Sequence, residues 1–163
     1  MLMSNVNKRS RVISVFTASF LLSLTIAGGA SADTTVKESG ALTSPPPVQM
    51  SLMSVNPNYK YLSNASAAFQ KTAPTQARLT ATTYAYSTVD SLGATFILQR
   101  WTGTVWVDSV VVSDQSTNAS IFSAAKTFNT ISGYYYRGKT IHWAKEGTVR
   151  EETVLYTDNF LAG

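Results

Sequence analysis

The side chains able to support covalent, metal or acid–base chemistry are few: one histidine, no cysteine and nine carboxylates among 163 residues. A zinc site takes three or four nitrogen, sulfur or oxygen ligands, and His142 has neither a second histidine nor a cysteine to join it. As a general base His142 would need a nucleophile and an orienting acid, and no Gly-x-Ser-x-Gly elbow supplies them. Glu151 and Glu152 are neighbours in a segment of strand character. Their side chains then point to opposite faces and cannot act as the paired acid and base of a glycosidase. Asp90, Asp108, Asp114 and Asp158 fall beside predicted turns or strand ends, and no Asp-x-Asp-x-Asp-Gly loop suits calcium. The expectation is a chain without catalytic residues, metal or cofactor, with His142 hydrogen-bonded beneath a sheet and the carboxylates solvated. A hydrolase is the least favoured reading.

What remains with binding potential is aromatic. Trp101, Trp106, Tyr135 and Trp143, with Ile97, Gln99 and Arg137, are spaced to line one face of a sheet. Flat rings beside hydrogen-bonding groups stack sugar rings and also anchor protein interfaces. Two plainer roles compete with binding. The rings can stabilise neighbouring strands, at ~0.5–1.5 kcal/mol per aromatic pair beyond their area. Alternatively, the segment 33–58 can fold back and cover them.

The elements that would position these residues follow from composition and periodicity. Lys8, Arg9 and Arg11 precede an uncharged run over 12–26, and Ala30-Ser31-Ala32 offers small residues at the −3 and −1 positions of a cleavage site. Residues 1–32 are therefore expected to be a signal peptide cleaved after Ala32, which makes the mature chain secreted and frees it from the membrane. Three of the thirteen basic residues lie in that leader and all nine acids follow it, so the net charge falls from +4 to +1. Such a balance gives no reason to expect nucleic acid as a partner. Residues 33–58, with Ser44-Pro45-Pro46-Pro47 and Asn56-Pro57-Asn58, read as a flexible tether. Met50, Leu52, Met53 and Val55 within it are apolar enough to add one edge strand.

From Tyr59 onward the pattern has period two, with strands expected over 76–86, 92–101, 105–112, 121–128, 134–145 and 148–156. Ala65-Ala67-Ala68-Phe69 is the only helix-prone stretch and is too short to form one. Thr102-Gly103 and Gly147 supply hairpin turns, and 113–118 reads as a polar loop. Residues 59–163 are thus expected to be one all-β domain, an antiparallel immunoglobulin-like β-sandwich of about seven strands. Zero cysteine means that it holds together by core burial rather than disulfides.

The segment Gly133-Tyr134-Tyr135-Tyr136-Arg137-Gly138-Lys139-Thr140-Ile141-His142-Trp143-Ala144-Lys145 organises this picture. Together with Leu98-Gln99-Arg100-Trp101, the Trp106 hairpin and a following Glu-containing strand, it resembles a family of small secreted bacterial proteins, a GYYYR-containing domain of unknown function. The likeness runs from Tyr59 to Tyr156 and departs at Gly138, where a β-branched residue is usual. It implies a fold and a compartment, and no activity, substrate or catalytic residue. The same segment is similar to the F strand of fibronectin- and immunoglobulin-type sandwiches. On that analogy Tyr134, Tyr136, Gly138, Thr140 and His142 face the core, while Tyr135, Arg137, Lys139, Ile141 and Trp143 face outward. One residue of slip would exchange the two sets. The functional expectation is a non-enzymatic extracellular module binding a protein or glycan through Trp101, Trp106, Tyr135, Arg137, Trp143 and Gln99. The alternative is a structural surface or matrix component that self-associates through a sheet edge.

Overall fold

The computed structural model describes residues 37–48 and 55–163. The expected signal peptide, the start of the tether and the apolar residues Met50, Leu52 and Met53 lie outside them. The described residues form five strands and no helix: β1 (Leu62–Ala73), β2 (Gln76–Trp101), β3 (Trp106–Asn129), β4 (Tyr135–Glu146) and β5 (Val149–Leu161). All pairings are antiparallel. β3 takes one edge of β2 along nearly its whole length. β1 and β4 share the other edge, β1 along 76–85 and β4 along 91–100, and β5 pairs with β4.

Where seven strands in two sheets were expected, one curled five-stranded sheet forms a half-barrel. The difference arises in the middle of β2. Tyr84 pairs with Ile121 and Val89 with Ala119, so four residues, 85–88, stand against Ser120 alone. Asn118 opposite this point takes a left-handed φ of 49°, which asparagine tolerates better than most residues. The ribbon bends there without breaking, so 76–86 joins 92–101 and 113–118 is strand rather than loop.

Three surplus residues also swap the parity of burial. Ala77, Leu79, Ala81 and Thr83 face the core before the bend, and Leu92, Ala94, Phe96 and Leu98 face it afterwards. The core between these halves adds Leu62, Val89, Phe122, Phe128 and Tyr136. The alanine-rich start of β1 is strand because pairing decides: Ala65, Ala67 and Phe69 stand opposite Thr83, Ala81 and Leu79 on the core face.

At Gly138 the curl brings β4 against the first half of β2. A Cβ there would lie 2.5 Å from Leu79 Cδ1, so any larger residue would have to push the buried Leu79 side chain aside. Gly138 also marks a register shift against β5 between Arg137 and Lys139, and its N–H donates to Thr157 Oγ1 at 2.9 Å. At the other end of β4, Gly147 takes φ 56° as the first residue of the two-residue turn between Glu146 and Val149, a position that favours glycine.

Candidate functional site

β4 has the expected phase. Tyr136, Gly138, Thr140 and His142 face the core, and Tyr135, Arg137, Lys139, Ile141 and Trp143 lie on the outer side of the sheet. Register then assembles the proposed face from three more strands. Gln99 stands opposite Arg137, Gly93 opposite Trp143 and Tyr156 opposite Lys139, while Trp101 pairs with Trp106 across the hairpin. All six candidate residues therefore share one surface.

That surface is closed by its own contacts. The Arg137 guanidinium lies between the rings of Trp106 and Tyr156, 4.5 Å from each. Its Nε donates to Gln99 Oε1 at 2.7 Å, and Gln99 Nε2 donates to Asp108 Oδ1 at 2.6 Å. Lys139 completes the row at 3.9 Å from Asp108. Burial lowers the pKa of Arg137, opposed by the neighbouring Tyr156 and Asp108. Trp101 tilts against Trp106 at 5.3 Å and donates its indole N–H to the Ser44 carbonyl at 3.0 Å. Ala41 packs on Trp101 and Tyr135, and Leu42 N donates to the Gly133 carbonyl. Through Ala41, Leu42 and Ser44 the segment 37–48 thus touches the sheet and covers the Trp101 end of the face.

Trp143 is covered differently. Its ring crosses Gly93, where a Cβ would come within 2.8 Å of Cζ2, and Arg150 stacks above it at 4.2 Å, held by Glu152 at 2.5 Å. Trp101 and Trp143 keep 6% and 5% of their surface exposed, Gln99, Tyr135 and Arg137 are equally buried, and Trp106 is half-buried. The outward set is a second packed layer, because cations and residues 37–48 cap its rings.

His142 is fully buried and bonded at both ring nitrogens, Nδ1 to Thr83 Oγ1 and Nε2 to Thr140 Oγ1, each at 2.8 Å. Thr83 has one hydroxyl proton and gives it to the Gly93 carbonyl at 3.1 Å. The network therefore assigns the ring proton to Nδ1, with Nε2 accepting from Thr140. Desolvation lowers the histidine pKa to about 4, and the ring is neutral at physiological pH.

Glu151 and Glu152 point to opposite faces as adjacent strand residues must, but Glu151 is not a solvated charge. Its carboxylate is buried and accepts three backbone N–H groups, from Lys60 at 2.7 Å, Tyr61 at 2.8 Å and Leu62 at 2.7 Å. Desolvation pushes its pKa up, these hydrogen bonds push it down more, and the net direction is down. Among the described residues no group of three or more His, Asp or Glu side chains is placed to hold a metal ion.

A surface that stays open lies on β3. Its outer edge pairs with no strand among the described residues. Val110, Val111, Val112 and Ile121 are exposed along it, with Val111 at 58%. The sequence signal was the non-alternating run from Val105 to Val112, which a strand buried on one face does not show. In comparisons with models of protein families, with curated proteins and with solved structures, this chain matches none.

Proposed function

We propose that the protein is an exported, non-enzymatic interaction module that takes up an extended polypeptide by strand addition along the outer edge of β3. One contrast carries this reading. The aromatic face has spent its rings and hydrogen-bonding groups on its own cations and on residues 37–48, whereas β3 offers unpaired main chain flanked by exposed valines. A free edge binds through main-chain hydrogen bonds and draws specificity from alternate side chains. A glycan would need an open ring to stack on, and Trp101 and Trp143 provide none.

Export rests on the basic start, the uncharged run and the small residues before Asp33, and it agrees with the family likeness of the Gly133–Lys145 ribbon. The immunoglobulin-like element of the reading is the way the curl lays the first half of β2 over β4, which lets one sheet act as two layers.

The mature chain, residues 33–163, tests the site when titrated with extracellular protein fractions and with wall polysaccharide. Hydrogen exchange along β3 and tryptophan emission are followed together. Slowed exchange in β3 on adding protein is expected, lost in the double variant Val110→Lys/Val112→Lys and kept in Trp143→Ala. Binding that survives the edge lysines but disappears in Trp106→Ala would move the site to the aromatic face.

A further inference from the structure

Free sheet edges are normally blunted by lysine, proline, bulges or a covering element. β3 contains no proline and no glycine in its 24 residues, and its one lysine, Lys126, is engaged by Asp114 at 2.6 Å. Two irregularities divide it. Ser109 is skipped where the register with β2 shifts between Leu98–Val110 and Gln99–Asp108, and Asn118 marks the bend. Between them, residues 110–117 keep a regular ladder with 91–98. In this stretch Val111 faces outward with Ile97, and Val110 and Val112 lie on the core side with Leu98 and Phe96, yet all three are exposed.

Resting on the reading of β3 as the contact edge, we infer that its occupant is a second copy of this chain, paired antiparallel about a two-fold axis through Val111. Such an axis stands normal to the sheet and keeps like faces together, so pairing must centre on a residue rather than between two. Centring on Val112 or Ser113 sets a valine against Asp114, centring on Val110 sets Val111 against the bulged Ser109, and centring on Asp114 opposes two carboxylates. Centring on Val111 sets valine on valine at the axis and Val110 against the second copy's Val112 on both sides, with the Ser109 bulge ending the regular stretch. Cross-strand β-branched pairs of this kind are the unit of sheet stabilisation.

Beyond the Ser109 bulge Asp108 lies on the outer side with Gln99, whereas Asp114 lies on the core side with Ala94, so the two carboxylates do not face each other across the axis. Each already holds its charge within its own chain, Asp108 with Gln99 and Lys139, and Asp114 with Lys126. The net charge of +4, falling to +1 without the first 32 residues, leaves little repulsion between copies. The product is a sheet continuous across both copies, with the valines covered.

The test uses residues 33–163 in sedimentation and in cross-linking. Wild type should pass from monomer to dimer with concentration. Val111→Lys, which brings two ammonium groups together at the axis, should weaken dimerisation by more than about tenfold while far-UV circular dichroism stays native. Because the chain has no cysteine, Val111→Cys provides an independent readout. Directly opposed Cβ atoms stand about 4.5–5.5 Å apart, near disulfide reach, so mild oxidation should give covalent dimer. Ser123→Cys, on the same strand beyond the bend, should not. A wild-type chain that stays monomeric and a Val111→Cys chain that does not cross-link would overturn the second copy. In that event, loss of extracellular protein binding in Val110→Lys/Val112→Lys leaves the edge intact for another chain's strand, and unchanged binding removes the edge as well. A dimer indifferent to Val111→Lys overturns the proposed register and surface.

Discussion

Glu151 offers the sharpest test of how this fold is held. Its carboxylate joins the last strand to the entry of the first, across 89 to 91 residues of sequence. Glutamine at this position keeps the shape but replaces one oxygen by an N–H₂ group, which then faces backbone donors instead of accepting from them. Hydrogen bonds to a charged group contribute ~1.5–3 kcal/mol, and a buried donor left unpaired costs ~1–3 kcal/mol. Leu62 N is the donor with least access to water. Glu151→Gln should therefore destabilise by ~2–4 kcal/mol, or a melting temperature lower by on the order of 10 °C for a domain of this size. Glu152→Gln is the control one residue away, since it loses only an exposed pair with Arg150, worth ~0–1 kcal/mol. The pH dependence has a definite sign. The folded pKa of Glu151 is depressed, so its contribution is fully present above the unfolded value, about 4.3, and is lost as pH falls through the lower folded value. The gap between wild type and Glu151→Gln in urea melts should be constant above about pH 5 and close below it. Equal losses in the two variants, or a gap independent of pH down to acid unfolding, would refute the assignment.

His142 should titrate as a neutral group to unusually low pH. With a folded pKa of about 4 against about 6.5 unfolded, its stabilising effect is complete above the unfolded value and is lost as pH falls through that window, roughly 3 kcal/mol in all. As the only histidine, its ring resonances give the folded titration directly, and a midpoint near 6.5 in the folded protein contradicts the buried Thr83–His142–Thr140 network. Gly138→Ala should cost ~1–3 kcal/mol by driving a methyl into Leu79, 2.5 Å away, with Thr157 Cγ2 at 3.3 Å on its other side. Combined with Leu79→Ala in a double-mutant cycle, part of that cost should return, and strict additivity in chemical denaturation would show that the two residues do not meet.

The alternation over 134–145 divided β4 into two sets of side chains, and the likeness to an F strand chose which set faces the core. Neither carried information about what covers the other side. That cover comes from residues 37–48, whose serines and prolines read as a tether although Ala41 and the Ser44 carbonyl seat on Tyr135 and Trp101. The polar run Tyr86-Ser87-Thr88 looked like the end of a strand because four residues facing one break the period just as a loop does. Residues 113–118 looked like a loop for a related reason, since an edge exposed on both faces needs no apolar pattern. Periodicity also does not reveal whether two strands lie in one bent sheet or two stacked ones. The burial of Glu151 was invisible locally, since its donors belong to residues about 90 positions earlier.

A chain without cysteine must tie a curled sheet together by other means, and here the ties are polar and long-range. Trp101 reaches Ser44, Thr83 reaches His142, Gln99 reaches Arg137, and Glu151 reaches Lys60, Tyr61 and Leu62. Each closes a large loop of chain, as a disulfide would, but through groups whose strength depends on being dry and correctly protonated. The indoles and guanidinium that looked like a binding face belong to this system, because stacking Arg137 and Arg150 on rings keeps water from the joints between strands. Removing one of these rings therefore loosens a joint as well as opening the face, so binding by such a variant is read beside its melting temperature. β3 stands apart from this arrangement. Beyond Asp108 its side-chain ties run from Ser113 to Thr95, from Ser123 to Thr82 and from Lys126 to Asp114, to β2 or within itself, and Val110, Val111 and Val112 remain exposed. A substitution on that edge can change association while leaving the rest of the molecule in place, the condition a surface under selection for contact has to meet.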